Sequence, residues 1–118
     1  MPTPFMTLYI RDQEWFHSFL KQTEASGVSA SRYVLTLLVH DLEERKLITP
    51  GRKQEWHEYD TTAPNRNTRL KTDQKRFLFY IPQDLPWVRD LLKRAAGKAK
   101  KSPSCYVRDL VCADKAVA

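Results

Sequence analysis

The chain has 118 residues, 42% of them hydrophobic, which suffices for one compact domain or for two halves that share a core. No apolar run approaches the roughly 20 residues of a membrane-spanning helix, and the start lacks the basic and apolar stretches of a signal peptide. Residues 1–60 hold 7 basic and 9 acidic residues, whereas residues 61–118 hold 13 and 5, so the net charge of +6 divides into −2 and +8. This asymmetry favours a polyanionic partner, with an ordinary solvated surface as the alternative.

A short strand is predicted near the start of the chain, because apolar and other residues alternate with a period of two. Met6, Leu8 and Ile10 form the inward set, and Thr7 and Tyr9 form the outward set.

Two amphipathic helices are predicted after this strand. The first covers about residues 12–26 and ends at Gly27, which fits a left-handed C-terminal stop. The second begins with Ser29 as its N-cap and ends near Lys46.

The segment 47–74 is predicted to be a linker or a long loop. It contains Pro50-Gly51, Pro64-Asn65 and mixed charges, which are typical of turns and loops. Trp56 and Tyr59 indicate that part of this segment packs against the rest of the protein.

The strand-helix-helix pattern then occurs a second time. Ile10 and Ile81 are 71 residues apart, and the serines that begin the second helix of each copy, Ser29 and Ser102, are 73 apart. The repeat predicts that residues 1–46 and 75–118 form two halves of one domain. In the second strand Phe77, Phe79 and Ile81 are predicted to face inward, and Arg76, Leu78 and Tyr80 outward. A helix over about residues 83–98 and another from Ser102 follow, the first without a clean glycine stop.

Two short motifs carry a resemblance to a known family. Gly27-x-Ser29-x-Ser31-Arg32-Tyr33-Val34 is similar to the turn and second-helix start of ribbon-helix-helix DNA-binding proteins, and Ser102-x-Ser104-x-Tyr106-Val107 keeps that pattern without the glycine. Two copies in one chain resemble the tandem form found in TraY-like conjugation proteins and in C-operon T-DNA-transfer proteins of virulence plasmids. The resemblance implies a mainly α fold with a two-stranded antiparallel ribbon, a single-chain pseudo-dimeric ribbon-helix-helix.

The outward residues of both strands are the predicted base contacts. A two-stranded ribbon fits the major groove, where base edges present a distinct pattern of donors and acceptors. The predicted set is Thr7, Tyr9, Arg76, Leu78 and Tyr80. The alternative to base contact is that these residues belong to a sheet edge that is covered by solvent or by another chain.

The starts of the second helices are the predicted phosphate contacts, because helix N-termini present free N–H groups and a positive dipole end. One arginine and three lysines are included among the predicted phosphate contacts. The resemblance implies that these helix starts flank the ribbon. The predicted set is Ser29, Ser31, Arg32, Lys75, Lys100, Lys101, Ser102 and Ser104. Serines that serve only as helix caps are the alternative.

An enzyme is not expected, since no phosphate loop, nucleophile elbow or metal-ligand spacing occurs and the three histidines do not cluster with partners. No cofactor, metal or catalytic residue is predicted. The resemblance implies a bacterial cytoplasmic protein, monomeric and away from membranes, which binds double-stranded DNA as an accessory factor in plasmid or T-DNA processing and transfer, together with other transfer proteins. A repressor or antitoxin of the same fold and a protein-interaction module without DNA binding are the alternatives.

Overall fold

The computed structural model describes residues 5–10, 12–62 and 75–113. In these ranges the chain is mainly helical, with one two-stranded sheet. The elements in chain order are β1 (Phe5–Tyr9), α1 (Gln13–Ser26), α2 (Ala30–Glu44), α3 (Pro50–Thr62), β2 (Arg76–Tyr80), α4 (Pro86–Lys98) and α5 (Pro103–Cys112).

The two strands pair antiparallel, with Thr7 opposite Leu78 and Tyr9 opposite Arg76. The predicted alternation is confirmed, because β2 alternates between exposed and buried residues along its length. On the inner side, Leu8, Phe77 and Phe79 are buried. The ribbon therefore has one side on the core and one side away from it.

Helices cover the inner side of the ribbon. α2 packs against β2, α5 packs against β1, and α2 and α5 contact each other. α4 contacts both of these helices, and α1 lies against α2. Large side chains from every one of these helices are fully buried, among them Phe16, Phe19, Leu38, Leu92 and Val107.

The predicted starts of α1, α2 and α5 and the first helix stop are confirmed, whereas α4 begins at Pro86, three residues after its predicted start. Asp12 caps α1, Ser29 caps α2 and Ser102 caps α5, each by accepting hydrogen bonds from backbone N–H groups of the first turn. Gly27 ends α1 in the left-handed conformation with a φ of 73°.

Lys100 takes the position in the second half that Gly27 takes in the first, 73 residues earlier in the chain. Its φ is 57°, in the left-handed region that a residue with a Cβ rarely adopts. The Lys101 N–H donates to the Ala96 carbonyl oxygen at 2.9 Å and the Lys100 N–H donates to that of Gly97 at 3.1 Å, which closes the end of α4. The two turns therefore share one backbone shape, although only one of them has glycine.

The predicted fold, a single-chain pseudo-dimeric ribbon-helix-helix, is wrong. Such a fold needs two equal strand-helix-helix halves, whereas this chain forms five helices in its described part. The additional helix, α3, lies in the segment predicted as a linker and contributes Trp56 to the core. The halves also differ in length, since α2 has 15 residues and α5 has 10.

Side-chain contacts attach α3 to helices of both halves. Glu55 accepts a hydrogen bond of 2.7 Å from the indole Nε1 of Trp87 in α4. Lys53 forms an ion pair of 2.7 Å with Glu43 in α2, and this pair holds the pKa of the Glu43 carboxyl below its usual value. α3 is thus anchored to both halves of the chain.

None of the helices in the described ranges has the length and apolarity to cross a membrane.

Candidate nucleic-acid interface

Among the side chains that the structure describes, the side of the ribbon that faces away from the helices consists of the five predicted base-contact residues. This set, Thr7, Tyr9, Arg76, Leu78 and Tyr80, is called the outer face. Tyr9 is 61% exposed and Leu78 is 52% exposed, which is unusual for large apolar side chains. The structure therefore brings together residues that are up to 73 positions apart in the sequence.

The register places the outer-face side chains close to one another across the ribbon. The Ile10 N–H donates to the Lys75 carbonyl oxygen at 2.9 Å, so the pairs that involve Thr7 and Tyr9 are the non-hydrogen-bonded ones of the ladder. Cross-strand side chains are closest in such pairs. The two strands contribute different residues, and the outer face has no two-fold symmetry in its chemistry.

Ser31 fastens the start of α2 to the open edge of β2. Its hydroxyl accepts a hydrogen bond from the Tyr80 N–H at 3.2 Å and donates to the Leu78 carbonyl oxygen at 3.4 Å. Both backbone groups point away from β1, as expected for non-hydrogen-bonded pairs of the ladder. This serine therefore sets the position of a helix N-terminus beside the outer face.

The two capping serines use their side chains within their own helices. The Ser29 hydroxyl accepts from the Arg32 N–H at 3.2 Å, and the Ser102 hydroxyl accepts from the Cys105 N–H at 3.2 Å. Ser104 is half-buried in the first turn of α5, the helix that packs against β1. The backbone N–H groups of the helix starts suit phosphate, and each capping hydroxyl, which accepts in these bonds, keeps a proton that it can donate.

Arg32 is buried, with only 9% of its surface exposed, and it points towards α3. Its guanidinium nitrogen lies 3.2 Å from the Asp60 carboxylate, and its Cζ lies 4.7 Å from the centre of the Tyr59 ring. This charge is therefore used to dock α3 on α2, and Arg32 is not among the cations that face solvent.

The three remaining predicted cations, Lys75, Lys100 and Lys101, are exposed. Lys101 forms an ion pair of 2.7 Å with Asp109, which raises the pKa of the lysine and lowers that of the aspartate. Among the described residues, neither Lys75 nor Lys100 forms a side-chain ion pair. Positive charge thus lies at the start of β2 and at the turn before α5.

A polar cluster that the sequence analysis missed joins α2 to α5. The Tyr106 hydroxyl donates a hydrogen bond to the Asp41 carboxylate, which also accepts from the Arg45 Nε at 3.0 Å. Burial, followed by the hydrogen bond to Asp41, raises the pKa of the Tyr106 phenol to about 12. Tyr106 and Asp41 are 65 residues apart, and no short-range pattern signals their contact.

No group of three or more histidine, cysteine, aspartate or glutamate side chains in the described residues is arranged to hold a metal ion. Comparison of the chain with protein-family models, with curated proteins and with solved structures found no match.

Proposed function

We propose that this protein binds double-stranded DNA by placing the outer face of its ribbon in the major groove. The observation that carries the proposal is the composition of that face: an exposed arginine, an exposed leucine, two tyrosines and a threonine, on a ribbon anchored from below by helices. Arginine can fork onto guanine, and an apolar side chain can contact a thymine methyl group.

The helix starts support this proposal because they lie beside the ribbon. Ser31 ties the N-terminus of α2 to the edge of β2, and α5 packs along β1. Backbone N–H groups at these two positions, with Lys100 and Lys101 just before α5, would contact phosphates on either side of the groove, and Lys75 adds a positive charge directly before β2.

The difference between the two strands implies a preference for an asymmetric site. β1 offers Thr7 and Tyr9 to the groove, whereas β2 offers Arg76, Leu78 and Tyr80. Identical half-sites would require identical strands, so a selection from random duplexes that returned a palindrome would contradict this part of the proposal.

The biological process is proposed from the sequence resemblance alone. The proposed role is that of a cytoplasmic bacterial accessory factor, which acts with other transfer proteins in plasmid or T-DNA processing and transfer. A transcriptional repressor or antitoxin is the alternative within the DNA-binding class.

A second candidate function follows from the exposure of Tyr9 and Leu78, because exposed apolar side chains in proximity also suit a protein partner. On this alternative the ribbon would dock another protein and would not bind DNA.

Fluorescence anisotropy of a labelled random-sequence duplex, titrated at several salt concentrations, tests the proposal. We expect binding that weakens steeply with salt, and Arg76→Gln should flatten the log–log salt dependence by about 1. Arg52→Gln is the matched control, since it removes the same charge from α3, and its salt dependence should equal that of the wild type. No binding at low salt, or equal effects of the two variants, would refute DNA binding by the ribbon and favour the protein-docking alternative.

A further inference from the structure

α4 is far more basic than α1, although each is the first helix after a strand. α4 carries four basic residues and one acidic residue, a net charge of +3, whereas α1 carries one basic and two acidic residues, a net charge of −1. The positions are structurally comparable, since Trp15 and Trp87 begin the apolar stripes of the two helices 72 residues apart. The fold therefore does not require the charge that α4 bears.

Three of these cations, Lys93, Arg94 and Lys98, are exposed and are called the α4 basic surface. The opposite side of the helix is buried in the core through residues such as Val88 and Leu92. Within the described ranges, the ion pairs of the protein use other cations. The charges of the α4 basic surface are thus directed to solvent.

The α4 basic surface continues into the turn that leads to α5. Lys98 stands in the last turn of α4, and Lys100 and Lys101 follow before the Ser102 cap. In the first half the corresponding residues, 25–28, carry no charge. Arg94 and Lys98 are four residues apart, so they lie on the same face of α4, one helical turn apart, and this face leads towards Lys100 and Lys101.

We propose that the α4 basic surface is a second phosphate-binding site, which contacts the DNA backbone beside the groove that the ribbon occupies. This inference rests on the proposed DNA binding by the ribbon. It adds a contact on one side of the protein alone, because α1 offers no equivalent cations. The protein would then cover more DNA on the α4 side than on the α1 side.

A pair of matched double variants tests this inference on the full chain. Arg94→Gln/Lys98→Gln removes two exposed charges from one face of the α4 basic surface, and Lys21→Gln/Lys46→Gln removes two exposed charges from α1 and from the turn after α2. Anisotropy titrations of a random-sequence duplex over a range of salt concentrations give the slope of log affinity against log salt. We expect the first variant to flatten that slope by about 1.8, which is two lost phosphate contacts, and the control to leave it close to that of the wild type.

The outcomes separate this inference from the proposed function. Equal changes in the two variants would mean that only the total charge matters. An unchanged slope in Arg94→Gln/Lys98→Gln would mean that α4 does not contact DNA. Each of these results overturns the inference. With either of these results, the proposed DNA binding by the ribbon still stands if the wild type binds DNA and Arg76→Gln flattens the salt dependence of binding. Only the α4 site is then refuted. If the wild type does not bind DNA, both are overturned.

Discussion

Replacing Lys100 by glycine should stabilise the protein, because this residue holds a left-handed backbone conformation with a φ of 57°. That conformation costs a residue with a Cβ about 1–2 kcal/mol, and the greater freedom of glycine in the unfolded chain offsets roughly 0.5–1 kcal/mol of the gain. We therefore expect Lys100→Gly to raise the free energy of unfolding by about 0.5–1 kcal/mol. Urea denaturation followed by circular dichroism measures this change.

Lys46 provides the matched control, since it ends α2 with a φ of 60° and lies outside the predicted contacts. Lys46→Gly should give the same gain in stability and leave DNA binding unchanged, whereas Lys100→Gly should also flatten the salt dependence of binding by about 0.9. Gly27→Lys should lower the free energy of unfolding by about as much as Lys100→Gly raises it. A Cβ at Gly27 would meet no atom within 4 Å, so only the backbone conformation is strained. A loss of stability in Lys100→Gly would refute the reasoning.

Two further predictions concern contacts that hold the helices in place. Ser31→Ala should lower the free energy of unfolding by about 1 kcal/mol, because the Tyr80 N–H loses its acceptor, and amide hydrogen exchange at that position should accelerate; unchanged exchange would show that Ser31 does not anchor β2. The pKa of the Tyr106 phenol is raised from 10.0 to about 12 in the folded state. The protonated phenol therefore stabilises the fold fully below pH 10, and this stabilisation is lost as the pH rises from 10 to 12. The wild type should therefore lose about 2 kcal/mol more than Tyr106→Phe over that interval, and parallel stability curves would contradict this.

The strands and the outer face could be predicted from sequence because their pattern is local. Alternation with a period of two determines which residues share a side of a strand, and it placed Thr7, Leu78 and the other outward residues correctly. The serine caps were equally visible, since the preference for serine at a helix start arises from a contact three residues away.

α3 was missed because its apolar residues do not form a stripe, and Trp56 is its one buried residue. A signal was nevertheless present: Thr49 accepts a hydrogen bond from the Arg52 N–H at 3.4 Å, and Pro50 opens the helix. This is the same cap-proline order as Ser102-Pro103, which was correctly assigned to a helix start. Pro50-Gly51, together with Pro64-Asn65 and the mixed charges of the segment, indicates a linker or a long loop by composition, and this signal conflicts with the cap-proline order.

The burial of Arg32 and the conformation of Lys100 had no local signal. Arg32 is buried because Asp60, 28 residues away, pairs with it, and that contact exists only once α3 is in place. A lysine in the left-handed conformation has the same side chain as a lysine in a helix, so the residue type does not indicate the backbone conformation of Lys100.

The ribbon pairs residues 5–9 with residues 76–80, so every hydrogen bond of its ladder closes a long segment of chain. The length-dependent entropy of closing about 70 residues amounts to about 4 kcal/mol, which two strands of five residues do not recover by themselves. Helix packing must supply the difference, and we therefore expect the ribbon to complete late in folding. A nascent chain that has not yet reached residue 76 has no partner for β1, and it has no outer face to present.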